Sequence, residues 1–484
     1  MRIFSFIMLA LLFPLFSYAE GETVVHMTSN GFEPEEVIIF QGETVTFIND
    51  TNEARWPASN IHPTHTVYPG SDIEKCNSEE RDTIFDACDP LFLGESYSFR
   101  FTKEGTWRYH DHEKPEFTGS VIVEDNPEFI EEEPEERSFF ENLVGVFIDL
   151  KNRIVRLYYQ IVPGALERRL GDTTIFDITD DLEKLKEIVN IAGPSAVMNK
   201  ILEESEGGTT LDCHQQAHQV GRAAYQVFGA GVFGEGDASC HSGYYHGMME
   251  AFLTSEGTKD LGERIIALCR GLDTDFTIFS CLHGIGHGVM AYEDYRLPEA
   301  LKECTSLPDD FTKSACYGGA FMENIITAQG LGAVPGHETE WVSETDYHFP
   351  CNAVGDDYHT RFECYQMQTS WMLTLSDFNW EKVAYECTKA EEDIQFACFS
   401  SMGRDIAGVV HRKPNEIIEL CELAPKGSDA YKGCVYGAVN VVVEFWGVNV
   451  KNEGEEFCSL VRDETVKDFC FTTVKDRKQQ ILGS

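Results

Sequence analysis

Basic residues are scarce in this chain: 38 Lys and Arg stand against 82 Asp and Glu in 484 residues, a formal net charge of −44. A surface of that sign repels nucleic acid and anionic lipid and concentrates cations, which removes nucleic acid from the set of partners. The same acidity also keeps a protein soluble, so by itself it assigns no cation site. Also missing are a phosphate-cradling GxxxxGK[ST] loop, a GxGxxG turn following a strand and a GxSxG elbow. No segment supplies the roughly 20 apolar residues that a helix needs to cross a bilayer. No two cysteines stand in CxxC spacing, the usual sign of a zinc ribbon. These absences leave open whether the chain is an enzyme at all.

At the start of the chain one positive charge in Met1-Arg2-Ile3 precedes an apolar run, Phe4 to Phe16, that ends at Ser17-Tyr18-Ala19. This reads as a secretory signal peptide over residues 1–19, with a mature chain from about Glu20 and a secreted or extracytoplasmic location, in the periplasm or at the cell surface. Sixteen cysteines are then expected to pair. Their spacing proposes how: Cys269/Cys281, Cys304/Cys316, Cys351/Cys364, Cys387/Cys398, Cys421/Cys434 and Cys458/Cys470 are each separated by eleven to thirteen residues. The second members recur every 34 to 48 residues, the period of a helical-hairpin repeat. Cys76/Cys88 stand alone upstream, and Cys213/Cys240 are joined by parity. Each first cysteine is expected to end a short helix. Asp275, Asp310, Asp357, Asp393, Asp429 and Asp463 are expected to cap the helix that carries the second.

Five segments follow: the signal peptide, a β-domain over 20–124, an acidic, proline-punctuated linker over 125–137, a helical connector over 138–205, and the stapled helical repeats over 206–484. In the connector, Leu143, Val146, Phe147, Leu150, Ile154 and Leu157 recur at helical spacing with Lys151, Arg153 and Arg156 between them. That helix is expected to pack on the repeats; a membrane-surface helix is the alternative.

Between Thr23 and Val123 apolar residues alternate as in half-buried strands: Val37 to Phe40, Glu43 to Phe47, Tyr97 to Phe101 and Ser120 to Val123. The order of Gly31-Phe32-Glu33-Pro34, Gly42-Glu43-Thr44-Val45, His65-Thr66-Val67, Gly94-Glu95-Ser96-Tyr97 and Gly105-Thr106-Trp107-Arg108-Tyr109 through Gly119-Ser120-Val121 resembles the cupredoxins. The resemblance covers these hundred residues and implies a Greek-key β-sandwich. The fold class that follows is multidomain β plus all-α, a cupredoxin-like sandwich followed by disulfide-stapled helical hairpins in an α-solenoid or α/α ring.

Blue-copper members of that family carry Cys, His and Met where this chain has Asp111, Lys114 and Phe117, and without a thiolate no blue centre forms. In their place stand His62 and His65 on one loop and His110 and His112 on another, similar to a cupredoxin subgroup reading WPASNxHPTH and YHDH. Two residues apart on an extended chain, His110 and His112 point the same way. The four form a candidate site for copper or another transition metal, against the alternative of loops stapled by histidine hydrogen bonds around Trp56 and Tyr68.

A second cluster opens the repeats. His214/His218 and His283/His287 are i, i+4 pairs, each able to chelate from one helix face, and His246 and His287 both lie six residues after their repeat's second cysteine. Met322 holds that place in the next repeat. Glu250 and Glu323 are candidate carboxylate partners, Tyr244 and Tyr245 candidates for the opening, and Met248, Met249 and Met290 core. Gly284, Gly286 and Gly288 inside a helix cost about 0.5–1 kcal/mol each relative to Ala, so something approaches closely there, a ligand or only the neighbouring helix.

The reading reached from the sequence is a secreted metal-binding protein with a redox or metal-handling role. Its rival is a non-enzymatic scaffold whose metal-free sandwich and helical surface grip a protein or glycan at the cell surface, marked by histidines buried and hydrogen-bonded to backbone. A zinc hydrolase would need a glutamate beside three histidines and an open position. Asn49-Asp50-Thr51 is a lone glycosylation sequon.

Overall fold

The computed structural model describes residues 23–483 except 61–64, 79, 128, 130–154, 160, 163, 172, 180, 206–211, 236–238, 241, 259–260, 273, 331–338, 411–412, 427 and 446–451. The signal-peptide reading, most of the acidic linker, the first part of the connector helix and His62 therefore lie outside the described residues.

The β-domain is built from β1 (Thr23–Thr28), β2 (Gly31–Glu33), β3 (Glu36–Phe40), β4 (Thr44–Asn49), β5 (Pro57–Ser59), β6 (Ser96–Arg100), β7 (Gly105–Asp111) and β8 (Lys114–Glu124). They form two four-stranded sheets, β2-β1-β4-β6 and β3-β8-β7-β5. β1 runs parallel to β4 and β3 parallel to β8; the other pairs are antiparallel. Alternation is clear in β3, where Val37 and Ile39 are buried and Ile38 and Phe40 face out. Val25, Val45 and Phe47 of one sheet meet Trp107, Tyr109 and Val121 of the other in one core. Phe47 and Tyr109 pack edge to face across it at 5.0 Å, a geometry that places a ring edge on a π face. The sequon does not lie on a free surface: the Asn49 side chain is buried and donates to the carbonyls of Glu53 and Leu91.

Four helices of the connector, α1 (Ala165–Leu170), α2 (Ile175–Thr179), α3 (Leu182–Ala192) and α4 (Pro194–Glu204), lead to the repeats. There the long helices are α5 (Asp212–Phe228), α6 (Gly243–Glu256), α8 (Asp275–Tyr292), α10 (Asp310–Ala328), α11 (Tyr358–Leu375), α13 (Gln395–Val410), α15 (Asp429–Phe445) and α17 (Glu464–Leu482). Short helices alternate with them: α7 (Leu261–Cys269), α9 (Leu297–Thr305), α12 (Trp380–Cys387), α14 (Pro414–Cys421) and α16 (Glu453–Ser459). All eight expected disulfides are formed, Cys76–Cys88 and Cys213–Cys240 included, and no cysteine is free. In the repeats they tie the end of a short helix to the first turns of the next long one. Two pairs depart from this: Cys213 opens the long helix α5 and its partner Cys240 lies in the turn before α6, and Cys351 sits in a turn rather than at a helix end.

Two of the capping aspartates act as expected: Asp357 and Asp463 accept from the backbone N–H groups of Thr360 and of Thr465 and Val466. At α8 and α10 the cap is one residue earlier. Thr274 and Asp309 form capping boxes with Thr277 and Thr312, and Asp275 and Asp310 sit in the first turn, where their charge meets the positive end of the helix dipole. Asp429 likewise opens its helix from within, and Asp393 precedes α13 by two residues and pairs with Arg361.

The long helices pack in sequence, α8 on α10, α11, α13, α15 and α17, and α17 then returns to touch α8. There the Arg477 guanidinium lies over the Phe276 ring at 4.7 Å. The array therefore closes on itself, with α5 and α6 continuing the packed series on the other side of α8. This α17–α8 contact is what gives the helical array its ring form.

Glycines make that packing possible. A β-carbon on Gly247 would overlap the carbonyl of His218, one on Gly286 that of Cys316, and one on Gly319 that of His283. The same happens at Gly403 against Cys434 and Gly437 against Ser400, where no histidine is among the atoms met. Close helix approach is what Gly247, Gly286, Gly319, Gly403 and Gly437 serve.

The sandwich and the ring are joined. Tyr292, at the end of α8, is buried in the β-core and donates to the carbonyl of Thr106 at 2.6 Å, while Glu293 pairs with Arg108.

Candidate metal centres

In the β-domain, β5 and β7 pair so that Ala58 lies opposite His110. The loop after β5 brings in His65 with φ at +59°, a left-handed conformation that costs a side-chain-bearing residue about 1–2 kcal/mol. A bulge between His110 and Asp111 turns the strand so that His112 faces the same place. His65, His110 and His112 each offer a donor atom within 4.8 Å of the others'. His65 Nε2 and His112 Nδ1 are 2.9 Å apart, His110 Nδ1 meets Asn60 Oδ1 at 3.0 Å, and His65 Nδ1 meets Asp86 Oδ2 at 2.5 Å. The carboxylate of Asp86 also accepts from Trp56 Nε1 at 2.6 Å and from the backbone N–H of Cys88 at 2.7 Å. Asp86 thus bonds the Nδ1 side of His65 and leaves Nε2 facing His112, the way carboxylates hold histidines in metal sites. His65 and His110 are buried and His112 is partly exposed. Burial, followed by the nearby His65 ring, keeps the His112 pKa below its ordinary value.

The positions at which a thiolate, a second histidine and a thioether stand in blue-copper proteins are taken up structurally here. Asp111 forms a fully buried ion pair with Arg55 and accepts from the backbone N–H of Trp56 and Glu113. Lys114 pairs with Glu53, and the Phe117 ring lies 4.9 Å from the Arg55 guanidinium. This donor set fits an imidazole-bound ion and does not fit a copper–thiolate centre.

In the ring, α5 presents His214, His218 and Arg222 at four-residue spacing along one face, α6 presents His246 and Glu250, and α8 presents His283 and His287. All five imidazoles meet between these helices. Ring centroids lie 4.7 Å apart for His214/His218, 5.3 and 5.2 Å for His246 against His214 and His218, 5.3 and 4.1 Å for His246 against His283 and His287, and 5.7 Å for His218/His287. His214 Nε2 and His218 Nε2 are 3.2 Å apart. Two nitrogens bound at about 2.0–2.1 Å to one tetrahedral ion are separated by roughly 3.3 Å, so these two already stand at ligand spacing.

The outer nitrogens are held in the manner of ligands. His214 Nδ1 bonds the carbonyl of Cys240 at 2.8 Å, and His287 Nδ1 bonds Glu323 Oε2 at 2.7 Å. Both fix the tautomer that leaves Nε2 as the donor toward the cluster. Glu250 Oε2 lies 3.8 Å from His218 Nδ1 and accepts twice from Arg222, at 3.0 and 2.8 Å. Within the cluster, among the described residues, both nitrogens of His246 and Nε2 of His287 are buried with no hydrogen-bond partner; His218 Nδ1, also without a bond, faces Glu250, and His283 turns toward the backbone of Ala315. Burial drives all five rings toward neutrality, His214 and His287 to about 4 and the other three well below the ordinary value. Neutral imidazole is the form that binds a metal.

Eight of the nine histidines singled out in the sequence are brought into two groups; the ninth, His62, is not among the described residues. Tyr244 and Tyr245 do not form an opening: both are buried, and the Tyr244 hydroxyl donates to the carbonyl of Val232. Met248, Met249 and Met290 are core. Sequence reasoning missed Arg222, although it falls four residues after His218, missed Asn60 although it stands within the WPASNxHPTH segment, and missed Asp86, which reaches the β-domain site from a loop without a local signal.

No family model and no curated protein matches the chain. Among solved structures it is similar to amicyanin, including a reduced Cu(I) form and an oxidised form, at 23% and 24% identity over 22% of this chain and 87% of that chain. The TM-score in both cases is 0.17, too low to carry an assignment of family.

Proposed function

We propose that this is an extracytoplasmic metal-binding protein with two histidine centres, one in the sandwich and one in the helical ring. Its eight disulfides and the absence, among the described residues, of any helix long and apolar enough to cross a membrane are consistent with that location. The observation that carries the reading is His246, a fully buried ring with neither nitrogen hydrogen-bonded, walled in by four other imidazoles. Leaving a polar group in that state costs about 1–3 kcal/mol, and a bound ion removes the penalty. Bonds from the cluster to backbone, the mark of the scaffold alternative, are those of His214 to the carbonyl of Cys240 and of His283 to Ala315, and neither involves His246.

In the sandwich His65, His110 and His112 hold the ion, with His62 added by the sequence. In the ring the holders are His214, His218, His246, His283 and His287. Imidazole donors suit zinc, copper(II), iron or nickel, and copper is the ion toward which the cupredoxin resemblance of the sandwich points. Such an ion supplies Lewis acidity or, for copper and iron, one-electron chemistry. Hydrolysis is the weaker reading, because Glu250 is held by Arg222 and Glu323 by His287, and neither stands ready to take a proton from water.

Metal analysis of the purified chain, with and without His246→Ala plus His287→Ala, tests the proposal. Transition metal in the unaltered protein, reduced in the double variant, is the expected result; no bound transition metal in any preparation overturns it.

A further inference from the structure

We infer that the ring centre holds two ions with the His246 imidazole bridging them, an inference that rests on the metal-binding reading above. The five histidines form two sets of three, His214–His218–His246 and His246–His283–His287, each with donor atoms within 4.8 Å of one another. Only His246 belongs to both.

What separates His246 from the other four is that, among the described residues, neither of its nitrogens has a hydrogen-bond partner. A histidine bound to one ion hands its other N–H to a carboxylate, a carbonyl or water. His214 does so with the carbonyl of Cys240 and His287 with Glu323. His246 has no such acceptor at either nitrogen, and its neighbours are imidazoles on both sides. With a single ion its remaining N–H stays buried and unsatisfied. With two ions both nitrogens are used.

The surroundings repeat on the two sides. Glu250 stands behind His218, and Glu323 stands behind His287, so each ion has a carboxylate one histidine away. Bridging removes the last ring proton of His246, which leaves to solvent as the second ion binds, and the resulting imidazolate charge lies between the two cations. The His246 and His287 rings stack at 16° between planes, so their in-plane lone pairs do not yet converge. To complete its set the His287 ring would turn about χ2, a broad torsion, with the Glu323 carboxylate following to keep its bond to Nδ1.

Crystals of the full chain loaded with zinc(II) alone, measured at the zinc edge, test this. Two anomalous peaks flanking the His246 ring are expected. One peak in the cluster overturns the bridge and leaves the metal-binding reading standing; no peak in the cluster overturns both. In solution, copper(II)-loaded chain carrying His65→Ala and His112→Ala, which silences the sandwich site, is expected to show fewer spins by electron paramagnetic resonance than copper atoms by metal analysis. Equal counts overturn the bridge. His246→Gln is expected to lose two equivalents of zinc and His214→Ala one; if His246→Gln does not fold, the diffraction result on the unaltered chain decides alone.

Discussion

Asp111 and Asp86 lie near the same pair of loops and do different work. Asp111 neutralises the fully buried Arg55, and removing one partner of such a pair costs about 3–5 kcal/mol because the other charge is left without an offset. Asp111→Asn is expected to destabilise the sandwich by that amount, read as a fall in the urea midpoint of its unfolding transition. Asp86 bonds His65, through which it would act on an ion in the proposed sandwich site. Asp86→Asn keeps the side chain's size and removes its charge, and is expected to weaken metal binding in the sandwich about 10–100-fold by competition titration. Unchanged affinity in that variant contradicts a ligand role for His65.

At the scale of the helix, glycine position decides the sign of a substitution. Gly408 and Gly437 lie on α13 and α15, neither beside a histidine centre. A β-carbon on Gly408 meets nothing within 4 Å, whereas one on Gly437 overlaps the Ser400 carbonyl. Gly408→Ala is expected to stabilise by about 0.5–1 kcal/mol, through the better helix propensity of Ala. Gly437→Ala is expected to destabilise by about 1–3 kcal/mol, through overpacking. Thermal unfolding of the two variants against the parent chain reads the opposite shifts. The disulfides act on the same elements from the other side of the equilibrium. Cys387–Cys398 closes a loop of eleven residues, a constraint worth about 3 kcal/mol in the chain-entropy model.

Over the whole molecule, the joint between sandwich and ring carries a titrating group. Burial pushes the Glu293 carboxyl up to about 7, outweighing the attraction of Arg108; Glu303 and Glu299 push it further up, and Lys302 pulls it down. A carboxyl raised in the folded state binds more protons there than when unfolded between its ordinary value near 4.5 and about 7. Stability from this group is therefore greatest at low pH and is lost as pH rises through that window. Glu293→Gln removes the titration, so the melting temperature of the variant relative to the parent is expected to climb between pH 5 and pH 8 and then level off. A difference that stays flat over that range contradicts the assignment. The joint also links the two centres along continuous elements: β7 carries Arg108 and His110, and α8 carries His287 and ends at Tyr292 beside Glu293.

The cysteine spacing by itself determined the disulfides of the repeats and the period of the helices, because a covalent loop of eleven to thirteen residues is a local object that sequence distance describes. Alternation located β3, β4, β6 and the end of β8, and four-residue spacing put His214 with His218 and His283 with His287, for the same reason. Shifts of one residue in the caps, as from Asp310 to Asp309, show where local reading ends: adjacent polar residues compete, and the geometry of the entering chain chooses between them. Closure of α17 onto α8, the gathering of His246 between two other helices, and the arrival of Asp86 behind His65 depend on contacts between distant segments, which only the tertiary structure decided. The same holds for the central observation, that the nitrogens of His246 have no partner. Whether a buried polar atom is satisfied is a property of everything packed around it, and no stretch of sequence contains it.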